Sequence, residues 1–393
     1  MALTCTAIEP ILPEQDISRL EDRACSVLEQ AARLGAKVRE PLRSQLVKLT
    51  RWMHTYYSNL IEGQQTRVQD IESALQKDFS AQPEKRNLQQ LALAHLTMQR
   101  WAVTYAGSPF SSTFIQELHQ RFYSELPQEM RVAISTTGKN SPLVPGELRQ
   151  EEVEVGSHLA PPHELVPSLL DHFSRRYSER GLSRVRQIIA VGASHHRLAW
   201  IHPFRDGNGR VVRLFSDTLI RQIGIDAGGL WSLSRGMAFH REQYYARLAN
   251  ADQVRSSASA ADGRGHLSER ALREFCEFVL DVMIDQIAYM DQLFDIDRLE
   301  KRIEHYVKLQ GGFARGTEDR MFYLLREALY RGEFARGEAG RIVGAGERTG
   351  RAVLSLAEEA GLLQSDTPKS PVKLALPVKV LGMYFPQMFP PES

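Results

Sequence analysis

Apolar residues recurring three and four apart constrain this chain more than any other feature. The pattern runs from about Asp16 to Tyr105, as in Leu46, Leu49, Met53, Tyr56, Tyr57 and Leu60. That period gathers apolar side chains on one stripe only if the backbone is helical. Val153 and Val155 alternate with acids, and a short β-hairpin is the best local reading there. A mainly α fold follows. At 393 residues the chain exceeds the roughly 250 to 300 residues over which one hydrophobic core grows, so two or three units are expected.

Breaker residues divide the helices. Pro109 with Ser111, Ser112 and Thr113 precedes a helical run through Ile115, Leu118, Phe122 and Leu126, closed by Pro127. Between Arg131 and Ser157 the residues Gly138, Asn140, Pro142, Pro145 and Gly146 favour turns, which places the hairpin near 144–156. Helices are expected from Leu165 to Tyr177 and from Ser183 to Trp200, with Ser183 as a cap. Another runs on past Arg213 to a stop at Gly224, and further helices cover His240 to Asn250 and Ser268 to Leu293. The small, polar stretch Ser256 to Gly265 reads as a mobile loop.

From Leu299 the pattern changes. A helix from Met321 to Leu329, a short helix from Glu338 to Val343, a Gly344-Ala345-Gly346 turn and a helix from Arg348 to Ala360 have helix-turn-helix spacing. Two strands around Asp366-Thr367-Pro368 would form a wing. The expected organisation is a helical region over 1–108, a central domain over 109–298 and a helix-turn-helix unit over 299–393.

A formal net charge of +1 excludes a chain-wide electrostatic grip on nucleic acid or anionic lipid. Cys5, Cys25 and Cys276 are too few and too scattered for a disulfide framework, which fits a reducing compartment. Nothing approaches the roughly 18 apolar residues of a spanning helix. The expected location is cytoplasmic, with no membrane partner.

The chemistry concentrates in His202-Pro203-Phe204-Arg205-Asp206-Gly207-Asn208-Gly209-Arg210-Val211-Val212-Arg213. Gly207, Asn208 and Gly209 ahead of a helical run form a turn whose backbone N–H groups can converge on an anion, helped by the positive end of the helix. Arg210 and Arg213, three apart, share a face and can neutralise successive phosphates. Asp206 is a hard oxygen ligand suited to Mg²⁺, and the His202 imidazole can take a proton from an attacking hydroxyl. A Walker A loop is absent. His195 and His196 lack the spacing of a zinc motif.

This segment matches in full the signature His-x-Phe-x-Asp/Glu-Gly-Asn-Gly-Arg-x-x-Arg, and the chain resembles the Fic family; a chance match is on the order of one in a million. The resemblance implies a Fic-type helical bundle with a small β-hairpin flap, here followed by a winged helix-turn-helix. It implies a protein adenylyltransferase moving AMP from ATP to a Tyr, Thr or Ser hydroxyl. His202 would be the general base and Asp206 the Mg²⁺ ligand. Gly207, Asn208, Gly209, Arg210 and Arg213 would hold the phosphates.

Upstream, Ser58-Asn59-Leu60-Ile61-Glu62-Gly63 fits the family's inhibitory motif Ser/Thr-x-x-x-Glu-Gly/Asn, on a helix expected near 46–63. By that analogy Glu62 pairs with Arg213 and Ser58 steadies the helix. Tyr244 and Tyr245 are candidates to flank adenine or to pack in the core, and the flap would dock a target protein by strand addition. A second copy of the chain is a further expected partner. The alternative function is a DNA-binding regulator acting through Arg348 to Ala360, with weak binding expected because acids and bases nearly balance from Phe313 onward. Transfer of another nucleotide or of a phosphocholine group also stays open.

Overall fold

The computed structural model describes residues 3–134, 140–156, 158–178, 181–257, 262–310 and 316–390. It is mainly helical, with sixteen α-helices among the described residues. In order these are α1 (Ser18–Lys37), α2 (Leu42–Ile61), α3 (Val68–Leu75), α4 (Pro83–Thr104), α5 (Ser112–Ser124), α6 (Val166–Ser178), α7 (Arg184–Ile201) and α8 (Asn208–Gln222). There follow α9 (Leu233–Phe239), α10 (Arg241–Asn250), α11 (Glu269–Leu293), α12 (Ile296–Gln310), α13 (Thr317–Arg331), α14 (Ala339–Ile342), α15 (Glu347–Glu359) and α16 (Val378–Tyr384). None of the described helices is long and apolar enough to cross a membrane.

The chain forms two compact units. One comprises 1–32 and 54–287, the other 33–53 and 288–393.

In the first unit α7 and α8 pack side by side. Phe110, Phe173 and Phe215 form an aromatic cluster with Tyr177, in which the Phe110 and Tyr177 rings stack at 5.0 Å. Ser183 caps α7, its hydroxyl accepting from Arg186 N at 3.3 Å. The N-terminal segment belongs to this core: Ile8, Ile11 and Leu12 are buried, and the Tyr177 hydroxyl donates to the Ile11 carbonyl at 2.7 Å.

The hairpin expected near 144–156 forms instead as two separate strand pairs around that segment. β1 (Val132–Ile134) pairs with β2 (Asn140–Pro142), and β3 (Glu154–Val155) with β4 (His158–Leu159), both antiparallel. Pro145 has no N–H to give a ladder, and the backbone at Gly146 and Arg149 bonds elsewhere. Gly138 and positions 258–261 of the expected mobile loop lie outside the described residues.

In the second unit β5 (Glu333–Phe334), β6 (Leu363–Gln364) and β7 (Val372–Leu374) make an antiparallel sheet of order β5-β7-β6. It lies beside α13 and the α14–α15 pair. Strand β5 and helix α16 have no counterpart in the sequence reading. Both are short, and neither carries a periodic run.

Candidate active site

α7 ends at Ile201, and His202 follows in left-handed conformation, φ 48°. The turn from there to α8 is closed by Asn208: its Nδ2 donates to the Phe204 carbonyl at 2.7 Å and its Oδ1 accepts from Phe204 N at 2.9 Å. The Asn208 side chain is therefore committed to the loop, and only its backbone N–H remains for an anion. Phe204 is fully buried, a contribution of about 1.5 to 3 kcal/mol toward anchoring the turn.

Three residues outside the signature hold this loop, and the sequence reading missed all of them. Arg149 is 2 % exposed; its Nε donates to the His202 carbonyl at 2.8 Å and its Nη1 to the Glu151 carbonyl at 3.1 Å. Its Nη2 reaches the Pro161 carbonyl, and its backbone N–H the Pro203 carbonyl at 2.9 Å. His119 stacks on Phe204 with centroids 4.0 Å apart. Its Nδ1 accepts from Gly146 N at 2.8 Å, so the proton sits on Nε2 and faces the Asp206 carbonyl at 3.2 Å. Tyr123 donates to Asp206 Oδ2 at 3.0 Å. His119 and Tyr123 are four apart on α5, a spacing that could have flagged them as a pair; Arg149 carries no such signal.

Asp206 is exposed, and its Oδ1 accepts from Gly207 N at 2.7 Å. Gly207 has φ 79°, and a Cβ there would meet Tyr123 Cε2 at 2.6 Å, so only glycine fits. Arg210 lies over the Phe122 ring at 5.4 Å and its Nη2 bonds Gln64 Oε1.

Arg213 is 3 % exposed. Its Nη2 donates to Glu62 Oε1 at 2.6 Å and to the Ser58 carbonyl at 3.0 Å, and its Nε to Ser58 Oγ at 3.0 Å. Burial pushes the Glu62 carboxyl up, but the Arg213 and Arg210 charges outweigh it and hold the carboxyl below its ordinary value. Glu62 and Gly63 lie just past the end of α2, with Gly63 at φ 78°. Arg241 Nε and the Tyr245 hydroxyl cap the Ile61 carbonyl at 3.1 and 3.3 Å.

Tyr244 is 3 % exposed and Tyr245 39 %. Ser216 donates to the Val212 carbonyl at 2.9 Å and so accepts from His195 Nδ1 at 2.8 Å, which leaves His195 Nε2 to accept from the Tyr244 hydroxyl at 2.9 Å.

Asp206, Gly207, Asn208, Gly209, Arg213, Tyr244 and Tyr245 line one cavity of about 530 Å³, bordered also by Glu62, His158, Trp200 and Asp252. His202 lies in it. Burial, then the His158 and Arg149 charges, push its imidazole down to about 4, so the ring is unprotonated at neutral pH and its lone pair is open to a proton.

An α-helical protein in which a helix N-terminus, an unprotonated imidazole and the Arg213 guanidinium meet at one pocket is the class that this geometry defines. Residues 109–220 match the family model described as Fic/DOC family. The chain is 30% identical over 118 residues to "Protein adenylyltransferase Fic" of Drosophila erecta, covering 30% of this chain and 23% of that protein. With its Drosophila mojavensis counterpart it is 28% identical over 138 residues, covering 35% and 27%. The chain thus spans about a quarter of the length of these curated relatives. In fold it is similar to a Fic family protein from Desulfovibrio desulfuricans G20, with TM-score 0.56, 18% identity, and 93% and 98% of the two chains covered. It is likewise similar to Fic-1 (aa134 - 508) from C. elegans, with TM-score 0.51, 18% identity, and 69% and 71% covered. Residues 109–220 thus carry a Fic/DOC family domain, and the fold of the chain is similar to that of Fic family proteins.

Proposed function

We propose that the chain is a protein adenylyltransferase that moves AMP from ATP to a hydroxyl side chain of a target protein and is restrained by its own Glu62. One observation carries the reading: His202, Asp206, the start of α8 and Arg213 border the same cavity. Neutral His202 takes the proton of the target hydroxyl, the oxygen attacks the α-phosphorus, and pyrophosphate leaves. Backbone N–H groups at Asn208 and Gly209 face the phosphates while that of Gly207 holds Asp206, Arg210 steadies the transferring end, and Arg213 holds the γ-phosphate once Glu62 withdraws. Tyr244 and Tyr245 form the wall proposed for adenine.

Asp206 would hold Mg²⁺. Its exposed carboxylate takes one donor on each oxygen, which leaves lone pairs for a hard cation. The ion would neutralise phosphate charge when bound.

The test is labelled ATP incubated with the full chain and its Glu62→Gly form, each with and without His202→Ala. Mass spectrometry should find AMP on a tyrosine, threonine or serine in the Glu62→Gly form and none once His202 is replaced. Label that survives His202→Ala would discard the reading.

For 299–393 the proposed role is docking of a protein partner. Arg351 pairs with Glu347 at 2.9 Å and Arg336 with Glu358 at 2.6 Å, so acids on α15 compete with a DNA backbone for these two arginines. Salt-sensitive duplex binding by the full chain would favour the regulator instead.

A further inference from the structure

One carboxylate in the pocket organises groups that the transfer step does not use. Asp252 stands two residues past α10, and its oxygens take two different histidines. Oδ1 accepts from His196 Nε2 at 3.0 Å and Oδ2 from His158 Nδ1 at 3.1 Å. His196 is fully buried on α7. Its Nδ1 accepts from Arg197 Nη1 at 2.8 Å, which makes Nε2 the protonated nitrogen. His158 lies on β4, and its Nε2 faces the Trp200 carbonyl at 3.1 Å. Burial pushes the Asp252 carboxyl up, but the hydrogen bonds from His158 and His196 prevail and hold it at about 2, so the anchor keeps its charge.

The strand that His158 belongs to cannot hold itself in place. The β3–β4 pair has two residues per strand, Glu154 opposite Leu159 and Val155 opposite His158, and a short two-stranded pair is marginal without tertiary support. Ala160 N adds one bond to the Val153 carbonyl at 3.1 Å. Arg149 holds the flanking Glu151 and Pro161 carbonyls, and His158 adds one contact to the end of α7 and one to the segment after α10. Meanwhile the His158 ring lies 6.2 Å from that of His202, while the next residue, Leu159, is 71 % exposed. The latched strand thus adjoins the general base on one side and solvent on the other. The groups facing the phosphates come from α8 and the end of α2 and do not include either latch residue.

We propose that His158 and Asp252 form a latch that fixes strand β4 beside the pocket, and that both are positioning residues for the acceptor hydroxyl, not for the nucleotide. The identity of the acceptor rests on the transferase reading above. Neither residue touches the reacting atoms, and each acts through the strand.

The test uses the full-length Glu62→Gly chain, alone and with His158→Ala, Asp252→Asn or both. Three quantities are measured: ATP affinity by calorimetry with Mg²⁺, self-labelling rate at saturating ATP, and hydrogen exchange of the amides at 154–159. Retained ATP affinity, within about twofold, shows that each variant is folded. Labelling should slow by about tenfold or more, since displacement near 1 Å is enough for such a loss. Amide exchange over 154–159 should accelerate, and the double variant should be no slower in labelling than either single one, because the two side chains act as a unit. Unchanged exchange in both single variants would overturn the latch, as would ATP affinity falling in step with labelling. A parent that binds ATP yet labels nothing removes the transferase reading and the acceptor role with it, and the exchange measurement then decides the latch alone.

Discussion

Glu62 Oε1 occupies the space that a side chain at Gly209 would need. A Cβ built on Gly209 would collide with that oxygen and stand 3.1 Å from Arg213 Nη1. The carboxylate therefore lies against the first turn of α8, where free N–H groups and the helix dipole attract an anion. It takes a place that suits a phosphate.

Glu62→Gly should raise self-labelling by about five- to 150-fold, the range spanned by coupling energies of 1–3 kcal/mol. Arg213 keeps its two bonds to Ser58, so the fold should survive with a loss of about 1–3 kcal/mol in denaturant unfolding. Equal labelling of the two forms would remove the brake.

Mild acid should not release this contact. The folded Glu62 carboxyl lies below its ordinary value, so the ion pair contributes fully above that ordinary value and is lost only as pH falls through the lower folded one. The ratio of Glu62→Gly to parent labelling should stay constant between pH 5.5 and 8. A parent that gains activity toward pH 5.5 while the variant does not would count against it.

The legible part of this site was contiguous. The signature puts several chemical groups within one turn and helix start, so its spacing showed which would face together, whereas the motif at Ser58 to Gly63 was legible only through the family resemblance. The strands at 132–142 and 154–159 could not be placed because their pairing depends on contacts distant in sequence, such as His158 with Asp252. The same is true of Arg149. An isolated arginine in a stretch rich in Pro and Gly looks solvated, and only the fold gives it carbonyls to bind. Asn208 was readable as a turn residue, but its closure of the loop through Phe204 was not.

Arg149→Lys should damage the site more than the conserved charge suggests. A guanidinium reaches several carbonyls at once, whereas an ammonium on a flexible stem cannot reproduce that fork. Buried carbonyls at Pro161 and His202 would lose their donor, at a cost of about 1–3 kcal/mol each if left unpaired. Denaturant unfolding should report a loss of that order, and labelling in the Glu62→Gly form should fall while the Glu62–Arg213 contact is absent in both. Wild-type stability and labelling would show that the fork is dispensable.

The pH dependence of transfer should carry the mark of a buried base. At its ordinary value of 6.5, a histidine would be about 90% protonated at pH 5.5, and kcat/KM would drop by about tenfold. With His202 held at about 4, the ring stays unprotonated there and the Glu62→Gly form should lose almost nothing between pH 7 and 5.5. The same shift works against stability. His119 and His196 are also pushed down to about 4 by burial. As pH falls below 6.5 the unfolded chain binds protons that the folded one refuses until about 4, so stability declines across that window by up to about 1.4 kcal/mol per pH unit for each group. Melting temperature should thus fall between pH 6.5 and 5 while catalysis in the folded protein does not. An acid limb near pH 6.5 in kcat/KM, measured on protein still folded, would show that the base is solvated and that the closed pocket is not the state that reacts.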